Sequence, residues 1–563
     1  MRLGLLAILA IQACTVTQIL AQEKLKIKVG GSINANMSAF ENSGETERRP
    51  PFIYRLYGNP NVTINGWDLN STFQLGSYED RLKQRFNRAG ITANKKWFSL
   101  LLGHRRMEFS EFSISDKVFL GGGIELTPGV FRFSAFYGNL NRKTKVDSTD
   151  RSFIPSFKRD GYGFKVGVGK AENFVDIHYF KASDDTTSLQ YIPDYARVAP
   201  EENLVLGLVT EQKIKKYYFL SLDIAASAYT RDIRASEVNI EDQFFGDQLV
   251  YSQFQSRISS QYLSAGTAAL EYRKDGKIFG LSYTRVEPEY RTMGSYFLQS
   301  DIERIQAKSS FSLLEKKLKL NLNVLQERNN VLDNKTTDNK RAIYRIMAAY
   351  TPNMKLQTTI GYSAFTSIQE RNTEAFSGVI LNQYTHQANW NIQIRTGEEL
   401  KKSWSISSSY LNRRDRITSK SQYSNISGNL GYRFPVFKLD WSLSTTLGAS
   451  YFELISGQNY RLMPGLSING PLNKNRTLQL SASSQYTAAF NQITSGLASG
   501  TIREQVGLYF TPSMTHRFNA RISHAYSFFA SRLNYQEFLF DIQYTWTLRS
   551  KRKNVSPQNK STS

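Results

Sequence analysis

The chain has 563 residues and a formal net charge of +23, from 71 Lys plus Arg against 48 Asp plus Glu; aromatics make up 13% of it and cysteine occurs once. A single cysteine excludes an intrachain disulfide scaffold, and the apolar content excludes a disordered chain. Beyond the first two dozen residues no apolar run approaches the roughly 18 residues that a membrane-spanning helix needs.

The N-terminus carries Arg2, then the apolar run Leu3 to Ala13, then Ile19-Leu20-Ala21 before Gln22. A charged start, a short apolar stretch and a small residue at the cleavage point predict a secretory signal peptide over residues 1–21. Cys14 follows Ile11-Gln12-Ala13, a partial lipoprotein box with Gln12 where a small or apolar residue is usual. Lipidation of Cys14 and its loss with the signal are both open readings. Loss would leave a mature chain without cysteine, which suits export.

From there the chain alternates. Leu25, Ile27 and Val29, then Ile33, Ala35 and Met37, start a strand at once, with no room for a plug domain ahead of it. Tyr218, Leu220, Leu222, Ile224 and Ala226 share one face, as do Leu318, Leu320, Leu322 and Val324. Phe437 to Tyr451 and Leu478 to Phe490 repeat the pattern, and Phe538, Phe540, Ile542, Tyr544, Trp546 and Leu548 close it against Leu539, Asp541, Gln543, Thr545 and Thr547. Period two means strand. Several of these sets outrun the mean soluble strand of about 5–6 residues and reach the about 9–11 of a tilted membrane strand.

The connections alternate in length. Thr127-Pro128-Gly129, Lys170 to Asn173, Lys274-Asp275-Gly276-Lys277, Glu315-Lys316-Lys317, Thr351 to Met354, Phe434-Pro435-Val436 and Thr511 to Met514 read as tight turns. Pro presets φ and Asp-Gly supplies the positive φ of a type I′ turn. Long polar stretches at 41–60, 141–160, 184–201 and 232–259 lie between them. The prediction is an all-β protein: a single large antiparallel transmembrane β-barrel over residues 22–549, with short periplasmic turns and long extracellular loops. Counting turns gives about 24 strands, within a range of roughly 20–26. Residues 550–563 form a basic, disordered tail. Tyr350 and Phe510 just before a turn, and Tyr217-Tyr218 just after one, fit an interfacial aromatic girdle.

Several strings resemble a group of Bacteroidota outer-membrane β-barrel proteins. They are Arg48-Arg49-Pro50-Pro51-Phe52, Gly103-His104-Arg105-Arg106-Met107-Glu108-Phe109-Ser110, and Phe119-Leu120-Gly121-Gly122-Gly123-Ile124-Glu125-Leu126-Thr127-Pro128-Gly129. Phe131 to Gly138, Pro200 to Gly207 and Ser227 to Asp232 complete them, all within the first 240 residues. The resemblance implies an outer-membrane barrel of a Gram-negative envelope; it brings no catalytic residues and no substrate.

Catalytic and metal motifs are missing from the sequence. His104, His178, His386, His516 and His524 lack metal-site spacing, and there is no zincin, nucleotide-loop or EF-hand string. Gly121-Gly122-Gly123 reads as a strand bend rather than a phosphate cradle. Asp176 and His178 share a face and could form a dyad or a structural hydrogen bond. The expectation is a non-enzyme without cofactor or metal.

Charge placement says more. With the apolar phase facing lipid, the opposite phase puts Arg132, Lys165, Asp176, His178, Asp223, Arg345, Arg395, Lys438, Asp440 and Arg521 in the lumen. These groups could tie the wall together or form an anion-favouring eyelet. Outward-facing basic groups could contact outer-membrane lipids and lipopolysaccharide phosphates. Nucleic acid is not expected as a partner. A barrel this wide needs occlusion, by loops or by a partner protein. Residues 232–259, with Phe244, Phe245, Tyr251 and Phe254, are the candidate occluding or partner-binding loop, with 41–60 second. The two functions in view are a porin-like channel or gated pore for solutes, and a non-conducting barrel serving a secretion or biogenesis complex.

Overall fold

The computed structural model describes residues 27–43, 49–77, 87–144, 154–238, 253–373, 376–418, 421–436, 440–455, 457–491, 496–530 and 534–549. Residues 1–21, expected as a signal peptide, Cys14 within them, and the expected basic tail 550–563 lie outside them.

The described residues form one closed antiparallel barrel of 26 strands. Two of these strands are each interrupted once. Ile27–Gly30 continues into Ser32–Ser43 through Gly31, at φ 95°, and Phe52–Gly58 continues into Asn61–Ile64 past Asn59-Pro60. Neighbours in sequence pair throughout, and the first strand closes on the last, from Ser32 opposite Thr547 to Ser43 opposite Gln536. Ile27, where the first strand starts, and Thr547, where the last one ends, therefore both lie at the short-turn end. Asp541 binds this seam together, accepting from Ser38 Oγ at 2.5 Å and from Arg521 Nη2 at 2.9 Å.

The tight turns follow local sequence. Asp275-Gly276, at φ 50° and 73°, and Asn65-Gly66, at φ 49° and 81°, are type I′ hairpins, whose backbone twist matches that of the flanking strands. The barrel has one hairpin more than the expected 24 strands. Alternation is least regular around the hairpin of Arg88–Lys95 and Phe98–Arg106. Half of the stretch 41–60 is strand: Ser32–Ser43 reaches into it, and Phe52–Gly58 pairs with that strand. Pro435 sits inside Tyr423–Val436 rather than in a turn, and the next strand starts only at Trp441. Lys438 thus precedes the strand it was expected to occupy and lies outside the described residues. Asp440 is in the turn, not the lumen; it pairs with Arg476 and stands 3.8 Å from Lys401 Nζ.

The outer wall is apolar. Val168, Ile177, Leu281, Ile360, Leu447 and Ile522 are all exposed on it. A face of this size without a covering layer is built for lipid. Rings gather on it at the short-turn end: Trp404 stacks on Tyr432 at 4.2 Å, Phe518 on Tyr544 at 4.7 Å, and Tyr218 lies 5.2 Å from Tyr272. At strand spacing near 4.8 Å and a tilt near 40°, a wall of this strand number is about 52 Å across.

Candidate functional site

Wall side chains cannot fill that width, and two loops fold into it. Residues 107–117 join Phe98–Arg106 to Val118–Leu126, and residues 287–301 join Lys277–Val286 to Ile302–Leu313. The first sends in Met107, Phe109, Phe112 and Ile114, and the second Tyr290 and Met293. These pack on inward-facing Leu101, Phe119, Phe136, Phe180, Val205 and Tyr229. The result is an apolar core inside the barrel and against one side of its wall. Phe119 and Phe136 stack at 4.7 Å, and Phe109 tilts onto Phe136 at 5.9 Å. The wall makes room at Gly163, where an added Cβ would lie 3.0 Å from the Phe109 ring and 2.7 Å from Tyr179 O.

The two loops also bind each other. Ile114 and Gly294 form a parallel bridge, and Ser115 N donates to Gly294 O at 3.2 Å. Tyr290 Oη donates to Phe112 O at 2.7 Å, and Thr292 Oγ1 to Ser113 O at 2.5 Å. The wall holds the second loop through Asn203 Oδ1, which accepts from Met293 N at 3.1 Å, and through Ser227 Oγ, which donates to Arg291 O at 2.7 Å. Chain segments about 180 residues apart in sequence thus form one unit. Buried backbone groups are satisfied across it, as an interior segment requires.

Beneath this unit the charges interlock. Arg132 Nε and Nη2 each donate to Asp176 at 2.8 Å, a bidentate pair. Gly167 separates them in register, and a Cβ there would stand 2.0 Å from Asp176 Oδ1. Lys165 Nζ lies 3.9 Å from the same carboxylate and donates to Glu108 O at 3.2 Å. Asp223 accepts from Ser110 Oγ at 2.6 Å and from Glu111 N at 3.2 Å, pinning the first loop halfway down the wall. His178 has no exposed surface, and its ring lies 6.3 Å from that of Phe109. Neither of its nitrogens has a hydrogen-bond partner, so it forms no dyad with Asp176.

The far wall differs. From Lys402–Asp415 round to Tyr535–Thr547 the inward positions are mainly Ser, Thr, Asn and Gln, among them Ser407, Asn429, Thr446, Gln485, Asn519 and Gln543. Arg433, Arg461 and Arg503 punctuate them. Among the described residues none of these three arginines has an ion pair, and Arg503 is exposed to the lumen.

No family model and no curated protein matches the chain. Solved structures of bacterial pores and porins match. The translocation pore of the P pilus usher PapC matches at 12% identity and a TM-score of 0.35, over 93% of this chain and 100% of that one. Pseudomonas aeruginosa OccK10 (OpdN) matches at 11% and 0.34, over 60% and 94%, and Acinetobacter baumannii OccAB2 at 8% and 0.28, over 93% and 98%. At such identities they specify no solute for this chain.

Of the residues singled out in the sequence, Arg132, Lys165, Asp176, His178 and Asp223 are brought together under the folded loops. Arg521 lies apart, paired with Asp541 at the seam. Arg345 is exposed on the inner wall between Asn323 and Ser363. Arg395 sits at the short-turn end, its Nη2 3.5 Å from Gln393 Oε1. Phe244, Phe245 and Tyr251 lie outside the described residues. Phe254 does not occlude the lumen. It packs on Tyr179, Leu204, Ala228 and Tyr262, which share the outward phase, and Lys181 Nζ holds the adjoining Gln253 carbonyl. An aromatic in a long loop can find apolar surface on either side of a barrel wall, and here it takes the outer side. The occluding residues Met107, Phe109, Phe112, Ile114, Tyr290 and Met293 escaped the sequence reading. Their signal was a set of large apolar residues without period two, bounded by strands.

Proposed function

We propose that the protein is a constricted pore of a bacterial outer membrane that passes small hydrophilic solutes and favours anions. The observation that carries this reading is the asymmetry of the lumen. Two interlocked loops fill one side, and the facing wall offers neutral hydrogen-bonding groups with intermittent arginines. A polar, weakly basic passage concentrates anions while letting them leave again. The paired charges under the loops belong to the constriction's framework, and the arginines of the far wall set its selectivity.

Liposome swelling tests this reading. Vesicles holding the refolded protein should swell in small neutral sugars, faster in sugar acids of the same size, and negligibly in large oligosaccharides. Vesicles that stay as tight as protein-free ones would favour a non-conducting barrel serving an assembly complex.

A further inference from the structure

We propose that the lumenal wall beside the barrel seam carries a binding pocket for a sugar-sized anion bearing several hydroxyls. A cavity of about 500 Å³ lies there, lined by Asn34, Tyr57, Thr72, Gln74, Arg88 and Arg105 among others. Among the described residues no Asp or Glu lines it. Its size falls within the roughly 300–1,000 Å³ of small-molecule sites.

Arg105 is one of the residues that line this cavity. Its Nη1 donates to Thr72 Oγ1 at 2.8 Å and its Nη2 to Asn70 O at 2.9 Å. Its Nε is buried with no hydrogen-bond partner. Among the described residues this guanidinium meets only two neutral acceptors, which leaves its charge open to an anion. The framework arginines of this barrel behave otherwise: Arg132 and Arg159 each hold a carboxylate bidentately. Gly90 makes room for this side chain, since a Cβ there would stand 3.0 Å from Arg105 Nε and 2.5 Å from His104 O.

The surroundings add charge and hydroxyl partners. Arg55 flanks the cavity, with Nη2 donating to Gln74 Oε1 at 3.1 Å and its guanidinium 5.0 Å from the Tyr57 ring centre. Among the described residues neither Arg55 nor Arg105 has an ion pair. Guanidinium groups match an oxyanion, and the Asn, Gln and Thr side chains match hydroxyls. A carboxylate and a phosphate share this chemistry.

The inference rests on the pore reading only in that the ligand reaches the lumen from water. Isothermal titration of the folded protein in detergent tests it, with gluconate, glucose and glucose 6-phosphate as probes. Gluconate or glucose 6-phosphate should bind about tenfold or more tightly than glucose, the order expected for a charge-assisted contact. The stronger of the two tells a carboxylate ligand from a phosphate one. Arg105→Gln should abolish that preference and Arg105→Lys should restore part of it. Equal binding of glucose and both anions to the wild-type protein overturns the proposal whatever the variants do, as does an unchanged preference in a folded Arg105→Gln protein. The titration needs no conduction. Anion binding by a barrel that is silent in bilayers leaves the pocket and removes the pore, and conduction without an anion preference in the titration removes the pocket alone.

Discussion

Loosening the folded loops should open the pore without unfolding the barrel. Phe109 and Phe112 are both almost fully buried, at 4% and 1% exposure, in a core that the two loops and one side of the wall build among the described residues. A Phe→Ala change in a packed core costs about 3–5 kcal/mol, or about two to three and a half powers of ten in the ratio of docked to undocked loop. The wall does not share this loss, because its strands are held by continuous ladders from Phe52–Gly58 round to Tyr535–Thr547. The double variant Phe109→Ala/Phe112→Ala should therefore keep its heat-modifiable gel mobility and its melting temperature. Its single-channel current should rise and show open-channel noise absent from the wild-type trace. The comparison variant is Ile346→Ala on the lipid face, which should leave conductance unchanged. Identical current and noise in a folded double variant would refute the claim that these loops form the constriction.

Gly163→Val should act on the same unit from the wall side, raising conductance because the new methyls displace Phe109; single-channel recording checks it. Asp176→Asn strips the carboxylate from Arg132 and Lys165, so stability to urea should fall by about 3–5 kcal/mol and the reversal potential should move further towards anions. Adding Arg132→Gln should return most of the lost stability. Asp541→Ala removes the acceptor of both Ser38 and Arg521 at the seam, and should lower the temperature at which the band shifts on a gel. Burial alone would raise the carboxyl pKa of Asp301, but the Lys335 ammonium 2.5 Å away and the backbone N–H of Val331 outweigh it and hold the group below its usual range. Its stabilising contribution is then present above the ordinary aspartate value, about 3.9, and is lost as pH falls through the lower folded value. Loop 287–301 should stay docked down to about pH 4 and gain current noise only in stronger acid, and Asp301→Asn should show that noise at neutral pH.

The barrel was legible in the sequence because lipid on one side and water on the other impose period two on every strand. Lys165, Asp176 and His178 fall on one phase by that rule, and the structure sets them on the inner wall. The glycines at 161, 163 and 167 share the phase of Lys165, a hint that something lies against that strand. What lies there could not be read locally. Phe112 meets Tyr290 across some 180 residues, and a loop packed into a lumen follows the shape of its cavity rather than a period. The same reason misplaced Phe254: an aromatic loop residue shows affinity for an apolar surface but not on which side of the wall that surface lies. The run Leu100-Leu101-Leu102 puts apolar residues on both phases of Phe98–Arg106, so the hairpin around Lys96-Trp97 carries no clean period two.

The most direct test of the account is the reversal potential of the wild-type protein in a planar bilayer under a potassium chloride gradient. Stable steps are expected, with a reversal potential displaced towards that of chloride, and a loss of this displacement when Arg433, Arg461 and Arg503 are changed to Gln. Cation preference, or silence from protein shown to be folded and inserted, would contradict it.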